Sequence, residues 1–304
     1  MIDKQPHRIK SITEFHRFRE LPKPEHPLVS VIDLKDMRGL RKDEPRTMVY
    51  DYYFIALKKD LAGKMIYGQQ EYDFDEGVMF FIAPNQVFSI AEANTQRQSG
   101  WMLLIHPDFL WNTSLAKKIK KCEFFGYSVH EALYLSEKEE EIISTIMQNI
   151  KQEYHSNIDK FSQSVIIAQI ELLLTYAERF YSRQFITRKI TNHKVLTCLE
   201  DLLEEYFDSD NVNKMGLPSV QYIAEKLNLS PNYLSDLLKT ITGQTTQQHI
   251  HDKIIEKAKE KLSTTDLSIS EIAYTLGFEY SQSFSKLFKS KTNLSPLEFR
   301  RSFN

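Results

Sequence analysis

The sequence predicts an α+β protein with three parts: a β-rich N-terminal part, a helical hairpin, and an all-α C-terminal part holding two helix-turn-helix units. Three observations predict this. Apolar residues in the first third recur at strand spacing between turn signals. After residue 135 the period lengthens to that of helices. The segment Ser219–Gly243 is then echoed by Ser268–Asn293.

The elements follow in chain order. Met48 to Leu57 (MVYDYYFIAL) is dense in aromatic and β-branched residues, as a strand requires. Lys64 to Tyr72 alternates. Asp75-Glu76-Gly77 signals a turn, Val78–Ile82 a strand, and Ala83-Pro84-Asn85 a break. Gly100–Ile105 reads as a further strand, so the region resembles a sandwich or small barrel. Ser136 with Glu139 forms a capping box that should open a helix carrying Ile143, Met147, Ile150 and Tyr154 on one face. A second helix is expected over Ser162–Ser182, with Val165, Ile166, Ile170, Leu173, Leu174, Ala177 and Tyr181 on overlapping apolar faces. So wide an arc predicts packing on the β region, on the first helix and on a second copy of itself. Residues 183–192 read as a linker. His193–Tyr206 is helical by its stripe of Val195, Leu196, Leu199, Leu202, Leu203 and Tyr206, and Asp208–Lys214 reads as a loop.

The repeat is the most informative feature. Ile223-Ala224 matches Ile272-Ala273, and Leu227 and Leu229 match Leu276 and Phe278, at an offset of 49. Beyond the turn the offset is 50: Leu234 with Phe284, Leu237 with Leu287, Leu238 with Phe288, Lys239 with Lys289. Each copy opens at a serine cap, Ser219 or Ser268. Asn228 and Gly277 occupy the turn, the two residue types that best tolerate a left-handed backbone. A second helix starts at Ser230 or near Ser281. Its polar face is Asn232, Ser235, Asp236 and Lys239 in one copy, and Ser281, Gln282, Ser285, Lys286 and Lys289 in the other. Short polar and basic side chains of this kind hydrogen-bond base edges and phosphates. Thr246–Leu262, with Ile250, Ile254, Ala258 and Leu262, is a long connecting helix that could hold the two polar faces one DNA turn apart.

Composition bounds the rest. The chain has 304 residues, 41% hydrophobic and 26% charged, enough for two ordinary domains. No apolar run is long enough to span a bilayer, and Met1–Lys10 lacks the apolar core of a signal peptide, so the expected location is cytoplasmic. Two cysteines, Cys122 and Cys198, with no CxxC, argue against a disulfide or zinc framework. The net charge is −2, yet residues 217–304 carry 11 Lys and Arg against 9 Asp and Glu, an asymmetry that permits DNA binding.

The segments LSPNYLSDLLKTITG, IHDKIIEKAKEKL, SISEIAYTLGF and FSKLFKSKTNLSPLEFR resemble the AraC/XylS family of transcription regulators. The resemblance covers residues 193–304 closely. Where that family often has an arginine in the connecting helix, this chain has Ile254. The resemblance implies that Asn232, Ser235 and Asp236, and Ser281, Gln282 and Lys286, face bases in adjacent major grooves of double-stranded DNA. YGQQEYDFDEGVMFFIAPNQVFSI and IHPDFL are more loosely similar to the family's cupin-like β-barrel sensor. The implied organisation is a sensing domain over 1–135, a dimerisation hairpin over 136–182, the linker over 183–192 and the DNA-binding domain over 193–304. Implied partners are a small-molecule effector, a second copy in a homodimer, and RNA polymerase as a candidate contact.

Arg46, Tyr50, Tyr52, Phe81, Phe88 and Trp101 are the candidate effector-binding residues, because an aromatic set with a few polar groups suits a small-molecule pocket. No His-x-His stands where metal-binding cupins carry one, which predicts no metal, no cofactor and no catalytic residue. His249 and His251 point apart on a helix and make a poor metal pair. Two other readings compete: a cupin-type enzyme fused to a helical domain, which would need clustered His and Glu ligands in the β region, and a helical protein-interaction module, which would show no salt-dependent retention on DNA.

Overall fold

The computed structural model describes residues 6–38, 45, 47–59, 65–67, 70–72, 77–89, 99–128, 131–155, 159, 161–187, 189–209 and 211–302. The chain divides into two compact units, Met1–Gln184 and Phe185–Asn304.

The first unit holds β1 (His7–Ile9), α1 (Ile12–Phe18), β2 (Val29–Asp33), β3 (Thr47–Tyr50), β4 (Tyr53–Lys59), β5 (Met65–Tyr67), β6 (Gln70–Tyr72), β7 (Val78–Ile82), β8 (Val87–Ser89), β9 (Ser99–Ile105), α2 (Leu115–Lys118), β10 (Leu133–Tyr134), α3 (Glu137–His155) and α4 (Ser162–Thr187). The run Met48–Leu57 is two strands rather than one. It bends at Asp51, whose N–H donates to the Ile9 carbonyl and whose carboxylate accepts from Arg8 Nε at 2.7 Å.

Five strands form one sheet in the order β10-β7-β4-β9-β2, three form another in the order β1-β3-β8, and β5 pairs with β6. Among the described residues these are separate sheets, and no ladder closes them into one barrel. Register fixes the faces of the five-stranded sheet, because side chains alternate along a strand and cross-strand partners share a face. Phe54 stands beside Ile82 and Leu104, and Ala56 beside Phe80 and Met102. Ile32, Ile82, Met102 and Leu104 from this face join Ile9, Met48, Tyr50, Tyr52 and Phe88 of the smaller sheet and its edges, and Ile12 and Phe15 of α1, in one buried core. The two sheets are thus packed face to face.

The other face carries Phe81, Trp101, Leu103 and Ile105, and helices cover it. Phe81 meets Phe124, Phe125 and Tyr181 in an aromatic cluster with ring centroids 4.7–6.2 Å apart. Gln184 ties α4 to the edge strand β10, accepting from Tyr134 N–H at 2.9 Å and donating to the Ala132 carbonyl. Glu139 accepts from the Ser136 N–H at 2.9 Å, the backbone half of the capping box that opens α3.

α4 departs from expectation. Ile166, Ile170, Leu173, Leu174, Ala177 and Tyr181, the stripe expected to meet a second copy, are all buried within this unit. α4 is tied to the rest of its unit along its length: Gln163 donates to the Phe109 carbonyl, Glu171 accepts from Ser114, Tyr181 stacks on Phe124 and Gln184 bonds β10. The exposed apolar residues lie elsewhere on the helix and just before it: Phe161 (59% exposed), Val165 (40%) and Leu172 (44%). The linker expected at 183–192 also differs, since helix continues to Thr187 and resumes at Lys189. No Gly or Pro interrupts that stretch, and Gln184 and Phe185 extend the buried face of α4.

The second unit is all helical: α5 (Lys189–Asp208), α6 (Asn211–Met215), α7 (Val220–Lys226), α8 (Pro231–Thr242), α9 (Thr246–Thr264), α10 (Ile269–Thr275), α11 (Ser281–Thr292) and α12 (Pro296–Arg301). The expected loop at 208–214 contains α6, whose Val212 is buried. No helix among the described residues is long and apolar enough to cross a membrane.

Candidate nucleic-acid interface

The duplication read in the sequence is a duplication of geometry. Ser219 caps α7 and Ser268 caps α10, each side chain accepting an N–H three residues on. Both helices end in a left-handed residue, Asn228 at φ 55° and Gly277 at φ 87°. After each, a backbone N–H reaches back to an alanine carbonyl: Leu229 to Ala224 at 2.9 Å and Phe278 to Ala273 at 3.0 Å. This is the hydrogen-bond pattern by which a left-handed residue ends a helix and turns the chain sharply. It sets the crossing of α7 with α8, and of α10 with α11. The buried Ala224 and Ala273 let the second helix approach closely.

The correspondence continues past the recognition helices, where the sequence comparison stopped. α8 ends at left-handed Gly243 and α11 at left-handed Asn293, each N–H bonded to a lysine carbonyl four residues back, Lys239 or Lys289. Thr242 and Thr292 then donate to the carbonyls of Leu238 and Phe288. Thr245 with Gln248 and Ser295 with Glu298 form full capping boxes that open α9 and α12. The sequence signal, a Thr, a left-handed residue, a hydroxyl cap and a Gln or Glu at constant offset, was present but unread.

On α8, Leu234, Leu237 and Leu238 are buried; on α11, Phe284 and Phe288 are buried, and Leu287 is half-buried. The opposite faces place Asn232, Asp236 and Lys239 in register with Gln282, Lys286 and Lys289. Asn232, Lys239, Gln282, Lys286 and Lys289 are exposed, while Ser235, Asp236, Ser281 and Ser285 are half-buried. The Ser235 hydroxyl shares a 3.0 Å hydrogen bond with buried Thr246 of α9, so it braces the two helices. Lys239, Lys286 and Lys289 form no ion pair with a described residue, which leaves three cations for phosphate. Exposed Tyr274 and Tyr280 flank the second turn, a feature sequence reasoning missed because a tyrosine at a helix end reads equally as core. α9, at 19 residues, is about 28 Å long and carries both units on one rod.

The rod is braced to α5 by charge. Glu204 bridges Lys253 and Lys257 of α9, and Lys257 also reaches Asp208 at 2.7 Å. Hydrogen bonds from Lys253 and then Lys257 hold the Glu204 carboxyl down at about 2, against 4.5. A carboxyl whose folded pKa is depressed adds stability that is whole above its unfolded pKa and vanishes as pH falls through the folded one. Glu204→Gln is therefore expected to lower the melting temperature slightly at pH 7, and the gap to wild type should close between pH 4.5 and about 2. Thermal melts of both proteins across that range check it; a gap that stays constant with pH would show the bridge adds nothing.

The candidate effector residues divide between two places. Tyr50 and Tyr52 stack at 5.1 Å, and Phe88 meets Tyr50 at 5.0 Å, all in the core between the sheets. Phe81 and Trp101 lie on the other face of the five-stranded sheet, Trp101 beneath Lys151 of α3 at 5.3 Å. These five therefore do not converge on one pocket, and Arg46 lies outside the described residues. His249 and His251 of α9 have separate partners, Thr242 and Gln247.

Comparison with known proteins agrees with the duplicated unit. A family model described as a helix-turn-helix domain matches residues 223–302. The chain is 24% identical over 258 residues to the Msm operon regulatory protein of Streptococcus mutans, covering 83% of this chain and 85% of that one. It is 32% identical over 136 residues to the transcriptional activator RhaS of Salmonella schwarzengrund, covering 44% and 46%. Apart from the Msm regulator, it spans less than two thirds of the length of these curated relatives. Among solved structures, the C-terminal domain of the response regulator yesN from Fusobacterium nucleatum is 32% identical, with 34% of this chain and 93% of that one covered and a TM-score of 0.30. With two capped helix-turn-helix units and a match to the helix-turn-helix family model over residues 223–302, the C-terminal part of this chain is a DNA-binding helix-turn-helix domain of the AraC type, similar to those of transcription regulators.

Proposed function

We propose that the chain reads a specific DNA sequence with α8 and α11 in two adjacent major grooves, as a cytoplasmic homodimer whose N-terminal unit senses a small molecule. One observation carries the reading: both helices present a polar, partly basic face at equivalent positions, Asn232 with Gln282, Asp236 with Lys286 and Lys239 with Lys289, opposite an apolar face that is buried except for half-buried Leu287. Amide side chains suit adenine edges and lysines suit phosphate or guanine. Asp236 at the position of Lys286 gives the two units different preferences, accepting from a cytosine amino group in the first.

The rest of the organisation follows from that reading. Residues 193–304 bind DNA, residues 1–135 form the cupin-like sensor and the hairpin of α3 and α4 pairs the subunits. The facing sheets enclose Tyr50, Tyr52 and Phe88, which suits a small molecule more than a macromolecule. RNA polymerase is the further partner of a bound dimer. No catalytic step is assigned to the chain, and no cofactor or metal.

The test separates reading from holding. On a site footprinted with the full-length protein, Gln282→Ala should cost about 1–3 kcal/mol on the preferred sequence and little on random DNA. Lys289→Ala should weaken both alike and reduce the slope of log affinity against log salt by about one. Equal effects of both substitutions on specific and random DNA would overturn the assignment of this face.

A further inference from the structure

We infer that Tyr280 is a further base-reading residue, whose ring packs on the 5-methyl group of a thymine in the half-site read by α11. The inference rests on the proposed reading of DNA by that helix.

A missing cap points to it. The helices from α7 to α12 open on Ser219, Ser230, Thr245, Ser268, Tyr280 and Ser295. Each serine and threonine of that set accepts an N–H from three residues on. The Tyr280 side chain accepts none, because its hydroxyl stands at the far end of a ring. Its backbone is nonetheless the extended one that a cap uses, with φ −131° and ψ 127°. At the same place in the first unit, Ser230 is buried and accepts from the Tyr233 N–H at 3.3 Å. A serine at position 280 would serve the helix better.

The ring does not make up the loss by packing. Tyr280 is 65% exposed. Among the described residues its ring stacks on no other ring and its hydroxyl holds no hydrogen bond. Tyr274, on the other side of the turn, is exposed as well, and the first unit has Glu225 and Ser230 where the second has these two tyrosines. One exposed aromatic is ordinary on a surface. One that displaces a cap at the start of a DNA-reading helix gives up stability for a contact that the free protein does not make.

Position and chemistry name that contact. The N-terminal residues of a recognition helix meet base edges in the major groove. Tyr280 directly precedes Ser281, and two peptide steps hold its Cα within about 7 Å of that of Gln282. The apolar feature of the major groove is the thymine methyl, which cytosine and the purines lack. An aromatic ring laid on it removes both from water.

The test uses the full-length protein on a site that it footprints, with each thymine in turn replaced by deoxyuridine, which removes the methyl group alone. One thymine, in the half of the site where Gln282→Ala alters preference, should cost the wild type about 3- to 5-fold in affinity when replaced, the worth of one methyl withdrawn from water. Tyr280→Ser should bind the thymine and uracil forms alike, no tighter than the wild type binds the uracil form. Its melting temperature without DNA should equal or exceed wild type, since it gains a cap. Tyr280→Asn, a cap of similar quality, takes its place should Tyr280→Ser fail to fold. Tyr280→Phe should keep the discrimination. A uracil penalty that persists in Tyr280→Ser, or no penalty at any thymine, would overturn the inference and leave the reading of DNA standing. A loss in Tyr280→Phe equal to that in Tyr280→Ser would move the contact to the hydroxyl and overturn the methyl assignment. Melting well below wild type in both capped variants would make the ring structural and overturn it too. With no sequence-specific footprint at all, the reading of DNA by α11 falls as well.

Discussion

Gly277→Val is expected to lower the melting temperature of the C-terminal unit by on the order of 10 °C and to abolish site-specific DNA binding. Two costs add at this position. Gly277 sits at φ 87°, where a β-branched residue is strained by about 1–3 kcal/mol. A Cβ there would also stand 2.8 Å from the Gly216 carbonyl carbon and 3.0 Å from both the Leu217 nitrogen and the Val212 methyl. Those atoms are backbone or buried and cannot swing aside, so overpacking adds about another 1–3 kcal/mol. The contact matters beyond its own energy. The Gly216 carbonyl accepts a 3.0 Å hydrogen bond from the buried Tyr206 hydroxyl of α5, so crowding at Gly277 displaces the lead-in to the first helix-turn-helix unit as well as the second. Gly243→Ala is the control: its φ is 78°, but an added Cβ meets nothing within 4 Å. It should lose only the backbone term, about 1 kcal/mol. Thermal unfolding followed by circular dichroism measures both; equal losses at the two glycines would show that the approach to Gly216 carries no energy.

How much of this was legible in the sequence depended on the period of the signal. The duplicated unit announced itself because each copy repeats the same buried positions, and the change of offset from 49 to 50 fell at the turn, where an insertion is tolerated. Asn228 and Gly277 were predictable as left-handed because few residue types accept that backbone. In the N-terminal unit the strands were visible, but which face each residue occupies was not. A strand's two faces are distinguished only by register with its neighbours, so Phe81 and Trp101 could not be separated from Tyr50, Tyr52 and Phe88. The wide arc of α4 was legible as apolar surface, but the sequence does not say how many elements of its own chain cover a helix, so Ile170 and Leu173, buried within their own unit, could not be told from residues that would face a second copy.

Val165→Glu with Leu172→Glu is expected to leave the protein folded and convert the proposed dimer to a monomer. Ile170→Glu with Leu173→Glu is expected to unfold the N-terminal unit. Both pairs sit on α4 and differ in what covers them. Ile170 and Leu173 are fully buried, and each would place an unpaired charge in the interior of the unit. Val165 and Leu172 are seven residues apart and so share a face, and Phe161, four residues before Val165, joins them. Trp111, 75% exposed, follows the turn at 107–110 whose Phe109 carbonyl accepts from Gln163 of α4 at 2.8 Å. Four large apolar side chains left to water near one helix are the surface from which a second copy would gain most. In the proposed dimer each DNA-binding unit raises the effective concentration of its partner at a paired site. Losing the pairing should therefore cost about 10²- to 10⁴-fold on a two-site operator while affinity for a single site barely moves. Sedimentation velocity reports the oligomeric state and gel-shift titration on one- and two-site DNA reports the coupling. A folded Val165→Glu, Leu172→Glu protein that still sediments as a dimer would move the interface off α4, to an unpaired sheet edge such as β2.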